Sequence, residues 1–443
     1  MTVARAGLLR VGLLAGLVLA GCDGPAGPVT PAIISVQSAE AGPLVHALDI
    51  VLEHAAPLSI EYTTADAPLL RVSSPTALEH RVVLTGLRAG RTYEYSIAGT
   101  SHDGTFATQA LPADLDSIGF DATGAPTSTA TLIHVVGHGG FRGYVVVDGG
   151  GEVIWYWRSE GFPYGMTRRG NGNFVFLDGG RGLVEVGIDG HVVRRLPQDP
   201  DRSMHHDVIA TPQNTLLVIA HDRRSYGSGS LDGEAIWEWS PESGLLVKRW
   251  SSWDQLSPET DRGPRFGQEW LHANALALGP AGNVLLSVHY LNQVISLTPA
   301  MDGIEWRLGG VNATIASGAP FSGQHTAREL APGRILLFDN GVDRGGPSRA
   351  LELEVSGASA SSDWEWQAPT ANFASAVGSA RRLSNGNTVV AFGMSEGLSG
   401  STGPVEIYEV TRDELVVWRM VLHNVRVMYR AEPLPSLAGE EPG

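Results

Sequence analysis

The sequence predicts an all-β protein: a six-bladed β-propeller preceded by a small fibronectin type III-like β-sandwich. Three observations carry the prediction. A phrase made of a turn, then a small or Asn residue opening an apolar strand, recurs along the chain. The 443 residues include 55 Gly, 26 Pro and 11 Trp, a composition suited to short strands joined by tight turns. Helical periodicity of useful length is missing.

Taken in order, residues 1–21 read as an export signal. Arg5 and Arg10 precede an apolar run, Val11 to Leu19, that is too short to span a bilayer. The run ends in Leu19-Ala20-Gly21-Cys22, which resembles a bacterial lipobox, and Cys22 is the only cysteine. Lipidation of Cys22 is therefore expected. It would tether an exported protein to a membrane of the bacterial cell envelope, on the periplasmic or the cell-surface side. The alternative is an ordinary signal peptide with a chance cysteine. A single Cys excludes a disulfide framework and a Cys-based zinc site. Residues 22–30 form a Gly/Pro linker. Residues 31–111 alternate apolar and polar positions. Within them "LTGLRAGRTYEYSI" resembles the late strands of a fibronectin type III-like sandwich, with Leu84, Leu87 and Tyr93 as core anchors. A docking or structural role fits this domain better than a catalytic one.

Residues 112–437 hold the repeats. The turn-strand phrase appears at 170–178, 211–222, 279–290, 331–341 and 384–393, with a looser copy at 130–157. A second phrase, an apolar strand ending in Trp, follows most copies, at Trp155, Trp237, Trp306, Trp364 and Trp418. The copies are spaced unequally, as expected of loop insertions on a fixed unit. Units of about four short strands pack radially as blades, which hides sheet edges. Formal net charge is -16, which argues against an electrostatic nucleic-acid partner.

Aligning blades on the Asn-type position brings three histidines to one phase. His205 precedes Asn214, His325 precedes Arg334 in the Asn slot, and His272 precedes Asn283 by a slightly longer turn. Tyr164 and Gly378 take this phase in the second and sixth blades. Equivalent points at the start of inner strands converge on one mouth of the channel. Histidine is suited to proton transfer and nucleophilic attack near neutral pH. Ordinary polar channel liners are the plain alternative, and three histidines holding a zinc with an open position are another. No metal is expected. His134, His138 and His423 lack the placement and read as structural or surface residues.

The pieces "HHD" (205–207), "WLHANAL" (270–276), "GQHTAREL" (323–330), "RILLFDNG" (334–341), "SRALELEV" (348–355) and "GSARRLSNGNTVVAFG" (378–393) together resemble the bacterial PAPS-independent arylsulfate sulfotransferases. The resemblance covers most of residues 30–437. It implies transfer of a sulfuryl group from an aryl sulfate donor to a phenolic acceptor, both small molecules, through a sulfated histidine and without a cofactor. It leaves room for a homodimer. It implies His325 as nucleophile and His272 with Asn274 as an H-x-N pair. His205 or His206 is the remaining catalytic histidine, and the blade phase favours His205. The family's arginine has no counterpart, because its position holds His289, followed by Tyr290. Arg328, Arg349, Arg381 and Arg382 are candidates for the missing cation. The expected substrate-binding set is His206, His289, Arg328, Arg381 and Tyr164. Trp270, Tyr290 and Phe373 are further candidates to hold an aromatic ring. A non-catalytic envelope scaffold and a His-metal hydrolase or lyase are the alternative functions.

Overall fold

The strand after each turn is apolar almost without a break, as in Phe174–Asp178, Val284–Val288 and Thr388–Phe392. Such a strand must be covered on both faces. A computed structural model describes residues 31–437 and 441–442 and shows how. Among the described residues, six antiparallel sheets are the blades of a propeller. Blade 1 is built on residues 130–158, blade 2 on 163–197, blade 3 on 204–251, blade 4 on 273–308, blade 5 on 325–367 and blade 6 on 379–423.

Because strand side chains alternate, one strand serves two junctions. Val284 and Leu286 pack with Leu217 and Ile219 of blade 3, whereas Leu285 packs with Ile335 and Leu337 of blade 5. An apolar layer fills the other junctions too, including the one between blades 6 and 1, where Val389 and Ile407 meet Val135 and Val145. Each fully buried Val, Leu or Ile is worth about 1.5–3 kcal/mol. The ring is therefore held together by its six junctions. The recurrent Asn slot has a local reason. Asn173 and Asn387 donate to Glu185 and Glu409 at 2.7 and 2.6 Å, tying the turn to the next strand of the blade, and Arg334 reaches Glu352 in the same way.

The closure was not visible in the repeats. The innermost strand of blade 1 is Val425–Leu434, which pairs with Ala130–Gly137. Strand Gly119–Gly124 in turn adds an outermost fifth strand to blade 6, along Val416–His423. The two ends of the ring are thus interlocked twice.

The N-terminal domain is built on strand Val45–Thr63, which is irregular between Val51 and Ala56. Its first half pairs with Ile33–Gly42 and its second half with Thr92–Ile97, while Leu70–Leu84 runs along both halves. His46 of the first half stacks on Phe106 of the last strand at 4.0 Å, so the halves face each other across a shared core. Tyr93 Oη accepts the backbone N–H of Arg88 at 2.8 Å, the corner bond of fibronectin-like sandwiches. Leu84 and Leu87 are fully buried. Leu44 and Val45 pack into propeller layers, and Arg88 pairs with Asp148 of blade 1 at 2.7 Å. The signal segment and Cys22 lie outside the described residues.

A chain ending at residue 424 lacks the closing strand. It is expected to lose the sharp thermal transition of the full chain, measured by circular dichroism. An unchanged transition would show that blade 1 does not depend on that strand.

Candidate active site

Five inner strands carry a residue of positive φ at or near their starts: His206 (60°), His272 (53°), Thr326 (52°), Val377 (57°) and Asn424 (58°). Left-handed backbone costs of order 1–3 kcal/mol outside glycine and is least tolerable for β-branched residues. Strain is thus gathered at one end of the channel. With this kink as the common mark, His205 and His325 hold one slot. His272 shares the next slot with His206, a one-residue correction to the alignment from the sequence. The longer turn before Asn283 had hidden it.

The structure brings the predicted histidines together. His205 Nδ1 and His206 Nδ1 are 2.7 Å apart. The His206 and His272 ring centroids are separated by 4.6 Å, those of His272 and His289 by 5.5 Å, and those of His289 and His325 by 5.5 Å. Gly323 lets the chain pass close by, because a Cβ there would lie 2.5 Å from Val342 Cγ2 and 3.2 Å from His289 Nε2. Tyr164 joins at 5.1 Å from His206, and Tyr290 stacks on His272 at 4.7 Å. Tyr164 is fixed from behind, since its carbonyl lies 2.6 Å from Nδ1 of the fully buried His134. That is the structural role read for His134. A cavity of about 790 Å³, lined in part by His221, Arg265, Glu269 and Tyr290, adjoins the cluster through Glu269 and Tyr290, the neighbours of His272.

The tautomer of His325 follows from its neighbours. Asn340 donates both amide hydrogens, to the carbonyls of Ala374 at 2.8 Å and Val377 at 2.9 Å. Its Oδ1 can then only accept, so the 2.7 Å contact with His325 Nδ1 is an Nδ1–H donation. Nε2 therefore keeps its lone pair. His272 is oriented similarly by Glu269, whose Oε2 is 2.5 Å from Nδ1.

Burial sets the charge states. It pushes the pKa values of His205 and His325 down to about 3 and those of His206 and His289 well below the usual imidazole range. Glu269 is held down to about 2, chiefly by the hydrogen bond from His272. Burial raises Glu234 to about 7, behind His205. Arg430 is the cation of the site. Burial works against its charge, but Asp207 outweighs that and raises its pKa. It donates to Asp207 at 2.7 Å and to the Asn274 carbonyl at 2.8 Å, and its charge further lowers the proton affinity of His206 and His325.

Several expectations are corrected. The Asn274 amide is not available to a ligand: it is fully buried and donates to the Gln324 carbonyl at 2.8 Å, bridging blades 4 and 5. Arg328 and Arg381 sit with Glu432 around a separate cavity, and Arg382 lines it too. Arg349 is held by Asp339 and Glu365. None of these supplies the missing cation. Trp270 is a core residue against Trp253, and Phe373 bridges to Thr402. Sequence reasoning missed Arg430, Asn340, Glu234, Glu269 and His221. Glu269 stood three residues before His272 as a readable signal. Arg430 lies on the closing strand, which has no preceding turn of the repeat to align.

His205, His221 and Glu234 each bring a ligand atom within 4.8 Å of the others, the one such group among the described residues. The His205 and His221 rings stack at 4.0 Å with 28° between planes. Imidazole lone pairs lie in the ring plane, so these near-parallel rings do not aim at one ion. Coordination by both would require one ring to leave the stack.

Fold and site define a six-bladed propeller with a histidine-lined channel mouth. The family model described as Arylsulfotransferase (ASST) matches residues 122–430, and the chain belongs to that family. Its members are sulfotransferases, with small molecules as donor and acceptor. No curated protein sequence matches the chain. Solved structures share its course loosely. A protein of unknown function from Bacteroides caccae is 13% identical with a TM-score of 0.48, over 70% of this chain and 100% of that one. A gluconolactonase from Xanthomonas campestris is 12% identical with a TM-score of 0.37, over 70% and 93%. A streptogramin B lyase is 12% identical with a TM-score of 0.34, over 58% and 67%.

Two measurements check the electrostatics. Asp207→Asn leaves Arg430 buried beside a neutral partner and is expected to cost about 3–5 kcal/mol in urea unfolding. A change below about 1 kcal/mol would contradict the pairing. The lowered histidines take up protons on unfolding between about pH 3 and 6.5, so their contribution is complete above pH 6.5 and is lost as pH falls. Glu234 has the opposite sign between about pH 4.5 and 7 but is one group against several. Stability should rise from pH 4.5 to 7, with a shallower slope in His205→Gln. Equal slopes for the two proteins would refute a neutral buried His205.

Proposed function

We propose that the protein transfers sulfuryl groups from aryl sulfates to phenols by a ping-pong route through sulfohistidine at His325, without PAPS. The observation that carries this reading is the fixed tautomer, which turns a neutral Nε2 lone pair out of the Asn340 bond. Nε2 attacks sulfur and forms the N–S bond as the S–O bond to the aryl group breaks. The phenolate leaves with the electron pair and takes a proton from His272, which is oriented by Glu269. Positive charge that develops on the sulfated imidazole is met by the Asn340 oxygen at Nδ1. In the second half His272 takes the proton of the acceptor phenol. Its oxygen attacks sulfur, the N–S bond breaks, and the lone pair returns to Nε2.

Arg430 supports the sulfonate through its field, in place of the family arginine whose position holds His289. A loose transition state makes such positioning and charge the main contributions, by analogy with phosphoryl transfer. His205, with Glu234 behind it at 3.0 Å, and His206 complete the wall of the site, and Tyr164 and Tyr290 offer ring faces to the aryl group. The lipobox-like end of the export signal supports a place in the bacterial cell envelope, anchored through Cys22.

Rapid mixing with a chromogenic aryl sulfate and no acceptor is expected to release a burst of about one equivalent of phenol. His325→Ala should lose the burst and turnover, and His272→Ala should turn over at least about a hundredfold more slowly. Turnover by His325→Ala at the wild-type rate would refute the assignment. Cys22→Ser should move the protein out of the membrane fraction or leave it unprocessed, and an unchanged partition would refute the anchor.

A further inference from the structure

The channel has a second polar chamber. The histidines lie where the inner strands begin. Arg381 and Arg382 lie on the inner strand Ser379–Arg382 of blade 6, and Ser384 lies in the turn that leaves it. Arg328 comes from the inner strand His325–Ala331 of blade 5 and Glu432 from the closing strand of blade 1. With Ser128 and Thr129 these residues line a cavity of about 510 Å³ at the opposite end from the histidines.

Its charges do not balance. Arg381 pairs with Glu432, yet its Nη1 is buried without a partner. Arg382 pairs with Glu352 at 2.5 Å, yet its Nε is also unpartnered. Arg328 has neither a carboxylate at ion-pair distance nor a hydrogen bond from its guanidinium among the described residues, and its Nε is buried. Burial, then the charge of Arg381, lowers its pKa to about 10. A guanidinium offers five donors in a planar fork, and leaving a buried one of them unmatched is costly. The same fork matches two oxygens of a tetrahedral anion.

We propose that this cavity binds a small oxyanion of the sulfate or phosphate class, anchored by Arg328 and flanked by Arg381, Arg382 and Ser384. The site is separate from the histidines and does not depend on the sulfotransfer reading. It gives Arg328 the partner that the folded chain withholds.

The test is calorimetric titration of the folded protein with sodium sulfate and with sodium phosphate, against sodium chloride at equal ionic strength. His325→Ala serves as background, so that chemistry at the other mouth is silent. One saturable site is expected, weakened at least tenfold in Arg328→Met and less in Arg328→Lys, which keeps charge but loses the fork. Arg328→Met removes a charge with no partner, so its thermal midpoint without oxyanion should equal or exceed that of its background. Equal affinity in Arg328→Met, or no saturable binding of either anion, would overturn the proposal. Crystals of the wild type soaked in selenate give a check free of mutation. An anomalous peak beside Arg328 supports the site, and peaks only at the histidine mouth, or none, overturn it.

Discussion

Arg430 reaches from the closing strand of blade 1 to Asp207 on blade 3 and to the Asn274 carbonyl on blade 4. Asp207 is engaged on all sides, since its other oxygen accepts the Leu276 N–H at 2.8 Å. This buried pair joins the strand that closes the ring to the blades that carry the histidines. A buried ion pair contributes little net stability by itself, but an unmatched partner is expensive. The ring therefore cannot close in another register without stranding a charge, and the site cannot assemble before the ring closes.

The same burial decides the chemistry of the mouth. Burial disfavours the imidazolium forms of His205, His206, His289 and His325. Arg430 adds positive charge to that effect on His206 and His325. The result is neutral imidazoles at these four positions, the state in which His325 is suited to attack on an electrophilic sulfur. Carboxylates act behind the histidines: Glu269 orients His272, and Glu234 stands behind His205. The left-handed backbone at His206, His272, Thr326 and Val377 shows strain held where the junctions are rigid enough to sustain it.

Much of this was readable in the sequence. The turn-strand repeat located all six blades, and His205, His325 and, one residue out of phase, His272 located the mouth. Tyr93 and Leu87 marked the N-terminal sandwich. The rest depends on contacts between distant segments. Blade closure pairs residues far apart in the chain, which no local pattern records, so Arg430 stayed hidden on the last strand. Asn274 has the right neighbour in sequence, but its amide turns toward Gln324 and leaves the work of holding a histidine to Asn340. Arg328 lies three residues after His325, yet the strand carries it away from the mouth and toward the second chamber. Position along a strand placed residues on the axis, but not at the right depth or with the right partner.

The central claim is that His325 Nε2 carries the sulfuryl group between donor and acceptor. The most direct measurement is mass spectrometry of the protein quenched after exposure to an aryl sulfate alone, with fragmentation of the peptide containing residues 323–328. The account predicts a sulfo adduct on His325 that disappears when a phenol is added before the quench. An unmodified peptide during active turnover, or an adduct on another histidine, would contradict it.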